Sequence, residues 1–387
     1  MSNGTRAVMT SRERLLAAMR REEVDRIPLA PRMEMYIVPR FYQSGSLWAC
    51  KKFKRDVFDC DPTCAFGLPI INPFSDCTFV LPYLTEVDMT IHREDQGKLM
   101  KVTRTFETPV GPLAETVLIP KPGVTEYGAA PNPHRVEYLI KSTEDIERVR
   151  YLFPDPTKLN LAEYHHAVEE MGEEGLVLLN IPGPMDYLAG ETYPMVSMMV
   201  DYYENPGRFD GILAMFGDYV LSLTRTALEQ GVRHFFLGYF YTSLSSGWSP
   251  AILREKFLPI LQQQVAMIHA AGGLVDYYDD GKLMGSLDLF VEAGVDVVET
   301  CAPPPVGDFD LREAKRRWGD RVTFKGLVDM INVVARGTAR DIEAHLREIV
   351  ESNGGRRGMI LGTVDNLRPE TSEENVAAYF NLANQYR

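Results

Sequence analysis

Four short apolar runs in the C-terminal part of the chain each stop at a carboxylate, and helix-like stretches separate them. Leu274–Tyr278 runs into Asp279, Asp280 and Gly281. Val295–Val298 runs into Glu299, Val322–Val328 into Asp329, and Met359–Thr363 to Asp365. Runs this short and apolar suit strands of a parallel sheet that is buried on both faces. In a closed parallel barrel the C-terminal strand ends open onto one shared mouth. A single acid at such an end would cap a helix. Four in succession mark a site.

The same rhythm extends upstream. Leu176–Leu179 is a strand ending in Asn180, and His234–Gly238 is another, followed by the loop Tyr239–Gly247. Ser249-Pro250 opens a long helix with a cap residue and then proline at the first turn. That helix ends at Gly272-Gly273, and further helices are expected at 283–293, 310–318, 338–352 and 373–386. Thr10-Ser11-Arg12-Glu13 is a capping box at the head of an N-terminal helix. A strand near Leu29 and one in the Phe-, Pro- and Cys-rich stretch 40–95 bring the strand count to eight. The expected architecture is therefore α/β, a single (β/α)8 TIM barrel over residues 1–387 with N-terminal helices. Residues 98–120 alternate on either side of Pro109-Val110-Gly111-Pro112 and form an inserted β-hairpin outside the barrel, and Arg135–Ile140 adds a strand.

Composition narrows the function. At 387 residues, 45% hydrophobic and 25% charged, the chain can bury a large core. A net charge of −13 speaks against nucleic acid and against an anionic membrane surface. No apolar run reaches the roughly 20 residues of a membrane span, and the polar N-terminus has no signal-peptide core, so a cytoplasmic location is expected. The five cysteines, Cys50, Cys60, Cys64, Cys77 and Cys301, fit reduced thiols. Cys60 and Cys64 have no second Cys/His pair to complete a zinc site. His165-His166 lie on a polar helical stretch and are taken as solvated; His234 and His269 are taken as structural. No phosphate-cradling glycine motif is present.

Several segments resemble the uroporphyrinogen decarboxylase-like superfamily. Thr10–Pro31 is similar to its opening, Ser249-Pro250 with Phe257-Leu258-Pro259 to its mid-chain helix, Ala271–Gly281 to its fifth-strand motif, and Met359–Asn375 to its last strand and helix cap. The resemblance runs over nearly the whole chain and implies the same barrel. Decarboxylases of the superfamily carry paired arginines after the first strand, which bind substrate propionates. Here Pro31–Tyr36 offers Arg32 alone, beside Glu34, and Asp365 stands where their last-strand loop has histidine. Zinc-dependent thiol methyltransferases carry His-x-Cys-Gly on the fifth strand and a late cysteine. Here Tyr278 and Asp280 replace the first pair and Asp365 the last cysteine, so no soft metal ligand is left. Glu299 and Gly326-Leu327-Val328-Asp329 match the donor-side methyltransferases, including the O-demethylases of methoxyaromatic metabolism. That resemblance implies transfer of methyl from an aryl methyl ether to the Co(I) corrinoid (cobalamin) of a separate corrinoid protein.

The residues suit this chemistry in their own right. A methyl ether has a poor leaving group, and the protein must help its oxygen depart. Asp280, Glu299 and Asp365 crowded together would push at least one pKa up, leaving a carboxylic acid able to donate. Asp280, immediately before Gly281, is the first choice; Tyr278 is placed to hydrogen-bond the leaving oxygen. The alternative for the same acids is a divalent cation, and the sequence leaves both open. Glu34, Asn180, Tyr239, Tyr241, Asp329 and Asn366 are the candidate substrate contacts, with tyrosine also a common pocket filler and Asp329 also a good helix cap. Expected partners are the corrinoid protein and a small methylated aromatic substrate; a homodimer is allowed but not required. Two other readings remain, a decarboxylase of uroporphyrinogen or a related carboxylic acid, and a noncatalytic corrinoid- or tetrapyrrole-binding partner.

Overall fold

The structure, a computed structural model, describes residues 8–41, 57–67, 86–121, 124, 133–187 and 192–387. Cys50, Cys77 and much of the 40–95 stretch lie outside them. Among the described residues there are eleven strands: β1 (Thr63–Gly67), β2 (Asp88–Gln96), β3 (Leu99–Thr108), β4 (Gly111–Pro120), β5 (His134–Glu137), β6 (Leu176–Pro182), β7 (His234–Gly238), β8 (Leu274–Tyr278), β9 (Val297–Thr300), β10 (Thr323–Val328) and β11 (Met359–Thr363). The chain divides into two compact units. One holds Met1–Gly67, Asn160–Ile181 and Ala227–Arg387, and the other Leu68–Leu159 and Pro182–Thr226.

The first unit is built on a parallel sheet in the order β1-β6-β7-β8-β9-β10-β11. Its strands are short, β-branched and aromatic, and β8, β9, β10 and β11 are buried along their whole length. That is what a sheet covered on both faces requires. Leu29 makes an isolated parallel bridge to Leu361 on β11, and its carbonyl accepts the Asp61 N–H at 2.7 Å, two residues before β1. The expected first strand is thus reduced to a bridge, because its backbone is already committed at Pro28, Leu29 and Ala30 and then turns into the helix Glu34–Phe41.

Alternation sorts the strand residues. Leu176, Leu178, Phe236, Leu274, Tyr278, Val297 and Ile360 pack into one inner core. Their neighbours face the outer helices: Tyr277 stacks on Phe290 at 4.5 Å and Phe324 on Phe309 at 5.2 Å. The helices follow the expected cadence, with Pro250–Ala270 as one continuous run, then Leu287–Ala293, Leu311–Trp318, Ala339–Asn353 and Glu373–Tyr386. Thr10 caps the first helix: its hydroxyl accepts from Glu13 N, and Glu13 Oε2 accepts from Thr10 N at 2.8 Å. At the far end of the chain, buried Asp61 accepts from Arg14 Nη1 at 2.5 Å and from Arg387 Nη1 at 2.7 Å, and takes the Leu29 N–H as well.

The second unit carries an antiparallel sheet in the order β2-β3-β4-β5. β3 and β4 pair from Leu99↔Pro120 to Thr108↔Gly111, with Pro109 and Val110 between them. Four strands stand where the sequence reading places three, because β2 adds nine further pairs along the exposed edge of β3. Glu115 on β4 is buried and binds both Arg104 and Arg135. Among the described residues no helix is long and apolar enough to cross a membrane.

Candidate active site

The inward-facing column of the first unit turns polar toward the C-terminal strand ends. β8 contributes Asp276 and Tyr278, β9 contributes Glu299, and β10 contributes Lys325. In the register, Tyr278 lies opposite Glu299, and Glu299 opposite Lys325. Lys325 Nζ is 2.6 Å from Asp276 Oδ2 and 2.7 Å from Glu299 Oε2. Burial works against the ammonium, but the two carboxylates outweigh it and hold the Lys325 pKa above its usual range. Burial pushes Asp276 up, Lys325 pulls it back and Glu299 pushes again, leaving its pKa raised to about 6.

Arg32 follows the Leu29 bridge and completes the cluster. Its guanidinium lies over the Tyr278 ring, 4.8 Å from the centroid, and 5.8 Å from that of Phe236. Its Nη1 is buried with no hydrogen-bond partner among the described residues. The Tyr278 hydroxyl donates to Asp280 Oδ1 at 2.9 Å. Asp280 is exposed to solvent just past the end of β8, yet the protein packed around its carboxyl pushes the pKa up; the Tyr278 hydrogen bond opposes this, the Asp365 charge adds to the rise, and the net shift is upward. A small cavity of about 210 Å3 is walled by Arg32, Glu34, Phe236, Glu299, Lys325 and Asn366, among others.

Of the residues expected from the sequence, Glu34, Glu299 and Asn366 line this cavity. Tyr278 and Asp280 are not among its walls; Arg32 covers the ring of the first. Asp365 is partly exposed, accepts from Asn366 N at 2.6 Å and lies 3.6 Å from Arg368. Asn180 has its Oδ1 buried without a hydrogen-bond partner among the described residues, close to Gly238. Tyr241 is partly buried beyond the β7 end, and its carbonyl accepts the Trp248 indole N–H at 3.1 Å. Two expectations are corrected. Tyr239 stands one residue past β7 on the outer parity, and its hydroxyl donates to Gln264 at 2.8 Å in the sheet–helix layer. Asp329 caps the turn Met330–Ala335, with Oδ1 accepting from Ile331 N and Asn332 N at 2.9 Å. Gly326, at φ +99°, and Leu327, at φ +79°, bend β10 before Asp329 is reached, so strand parity no longer governs it. A Cβ at Gly326 would overlap the Thr300 carbonyl, which is why glycine stands there.

Sequence reasoning missed Lys325 and Asp276. The signal was present: a charged residue inside an apolar run, at the parity of its inward neighbours. Among the described residues no group of three or more His, Cys, Asp or Glu side chains is arranged to hold a metal ion. Asp276 and Glu299, on adjacent strands, already share an ammonium.

The first unit is thus a curled, seven-stranded parallel α/β sheet, compatible with a TIM-like barrel, with a pocket lined by Arg32, Lys325, Glu34 and Glu299. The chain belongs to the uroporphyrinogen decarboxylase (URO-D) family, whose model matches residues 125–386. It is 24% identical to a uroporphyrinogen decarboxylase of Nostoc punctiforme over 259 residues, 64% of this chain and 69% of that one. Its fold is similar to that of a methyltransferase from Methanosarcina mazei, with a TM-score of 0.63 at 14% identity, covering 98% of this chain and 99% of the other.

Proposed function

We propose that this protein is a corrinoid-dependent methyltransferase that takes a methyl group from a small donor, an aryl methyl ether, and passes it to the corrinoid of a separate protein in the cytoplasm. The barrel is then the full (β/α)8 form, with the Leu29 segment as its eighth stave. The observation that carries the reading is the pairing of Tyr278 with Asp280 under Arg32, which also walls a cavity of only about 210 Å3. Ordinary ligand pockets run from about 300 to 1,000 Å3, so a tetrapyrrole is a poor fit and a small donor a good one. The corrinoid supplies the nucleophile. The chain's own residues assist the oxygen that leaves. Asp280, with its pKa raised, is the proton donor, and Tyr278 fixes the orientation of that carboxyl. Glu299 and Asp365 keep the neighbourhood negative and so keep the proton on Asp280. Glu34, Asn180, Tyr241 and Asn366 contact the donor.

The test incubates the purified chain with reduced corrinoid protein and a panel of methoxyaromatics, following the cobalt absorbance. Conversion of the reduced corrinoid to its methylated form with one donor supports the reading and names the substrate. Failure with every methyl donor overturns it.

A decarboxylase of a small carboxylic acid is the second reading. It is favoured by Arg32, whose buried Nη1 has no hydrogen-bond partner among the described residues and would suit a substrate carboxylate. Release of carbon dioxide from uroporphyrinogen or a smaller acid would establish it.

A further inference from the structure

Lys325, Asp276 and Glu299 have side chains only 4%, 3% and 1% exposed. Burying three charges is a weak way to stabilise a fold, because well-packed apolar residues of the same volume do as well or better. Two carboxylates from adjacent strands gripping a central cation is the layout of a metal site, except that here the cation is part of the chain. An ammonium has three N–H donors. One is donated to Asp276 Oδ2 at 2.6 Å, and Glu299 Oε2 pairs with the ammonium at 2.7 Å by charge. Lys325 also lines the cavity beside Arg32 and Asn366, where a further donor can meet an acceptor on a ligand.

We propose that Lys325 is a resident cation: clamped by Asp276 and Glu299, it presents a permanent positive charge to a ligand oxygen in the cavity, and this place takes no divalent metal. The chemistry of the inference rests on the methyl-transfer reading. As the methyl–oxygen bond breaks, the electron pair stays on the oxygen and the methyl carbon passes to the partner's nucleophile. Lys325 meets the charge that develops on the oxygen, and the proton from Asp280 then neutralises it, leaving Asp280 as carboxylate. The flanking carboxylates keep the ammonium from losing its own proton, so the charge is there before the ligand arrives and needs no reorganisation.

The test uses the full chain and 4-nitrophenolate, whose visible absorption reports its ionised form. Lys325→Met alone would strand two buried carboxylates and fold poorly. The triple variant Asp276→Asn, Glu299→Gln, Lys325→Met is therefore the neutral, similarly sized control, and Lys325→Arg keeps the charge. The wild-type protein is expected to bind the probe as phenolate. The triple variant is expected to fold, by circular dichroism, and to bind roughly tenfold to a hundredfold more weakly, while Lys325→Arg retains most of the affinity. After equilibration with zinc and dialysis, the wild type is expected to hold no stoichiometric ion. Unchanged probe affinity in the folded triple variant overturns the proposal. So does a stoichiometric zinc ion that the wild type holds and Glu299→Gln loses. Should no donor methylate the corrinoid while probe binding still depends on Lys325, the methyl-transfer reading falls and the resident cation stands.

Discussion

The Tyr278 hydroxyl reaches across one intervening residue to donate to Asp280 Oδ1 at 2.9 Å, while Asp279 between them is fully buried. That hydrogen bond distinguishes the two adjacent aspartates: Asp280 is the partner of the ring that Arg32 covers.

The first prediction follows from the raised pKa of Asp280. A proton donor works while it is protonated, so kcat/KM should fall as pH rises through the Asp280 pKa, which lies above the ordinary 3.8. Asp280→Asn should lower turnover by about 10²–10⁴-fold and remove that limb of the profile. A pH–rate profile of both proteins checks this; a limb that survives in the variant assigns the proton elsewhere.

Asp276 makes a prediction about stability instead. Its folded pKa of about 6 lies above the ordinary 3.8, so the folded state binds the proton more tightly than the unfolded chain. The stabilising contribution is complete below 3.8 and is lost as pH rises through about 6. Urea unfolding over that window should show the wild-type midpoint falling with pH, and Asp276→Asn should flatten the trend.

Much of this was legible in the sequence. β7, β8 and β11 have the bounds that the short apolar runs mark out, because a strand covered on both faces is predominantly apolar along its length. What escaped was which face each residue takes once regular alternation stops. Counting by twos from Phe236 puts Tyr239 outside, so its hydroxyl could have been assigned to the helix layer. Counting by twos from Lys325 puts Asp329 inside, yet the backbone turn at Gly326 and Leu327 carries it into a cap. At that turn Gly326 lies too close to the Thr300 carbonyl of the next strand to carry a Cβ, a neighbour that no local pattern encodes.

Tyr239 supplies the control variant. Its hydroxyl is bound to Gln264, away from the cavity walls. Tyr239→Phe should leave kcat and KM unchanged while costing about 1 kcal/mol of stability, since Gln264 Oε1 loses a buried donor. Steady-state kinetics alongside thermal unfolding separates the two effects; a fall in kcat would return Tyr239 to the site.

Asp61 should be the costliest of these positions. It holds Arg14, Arg387 and the Leu29 N–H at once, and all three side chains are buried. Asp61→Ala leaves two guanidinium groups without their shared anion, which should destabilise by about 3–5 kcal/mol. A thermal melt reads this directly, and a loss under about 1 kcal/mol would mean that Asp25 and Asp59 compensate.

The strand that ends in Tyr277-Tyr278-Asp279-Asp280 has one further consequence. It spells the tyrosine–aspartate pair twice in overlapping frames, once for each face. A slip of one residue in its pairing, which ordinarily turns a strand inside out, would exchange Tyr277 with Tyr278 and Asp279 with Asp280 and still offer a tyrosine and an aspartate to the interior. The same slip would put Val275 where Asp276 now holds Lys325, and would move Tyr277 off Phe290 in the outer layer. The tyrosine–aspartate pair of β8 is buffered against misregistration; the carboxylate that grips the ammonium is not.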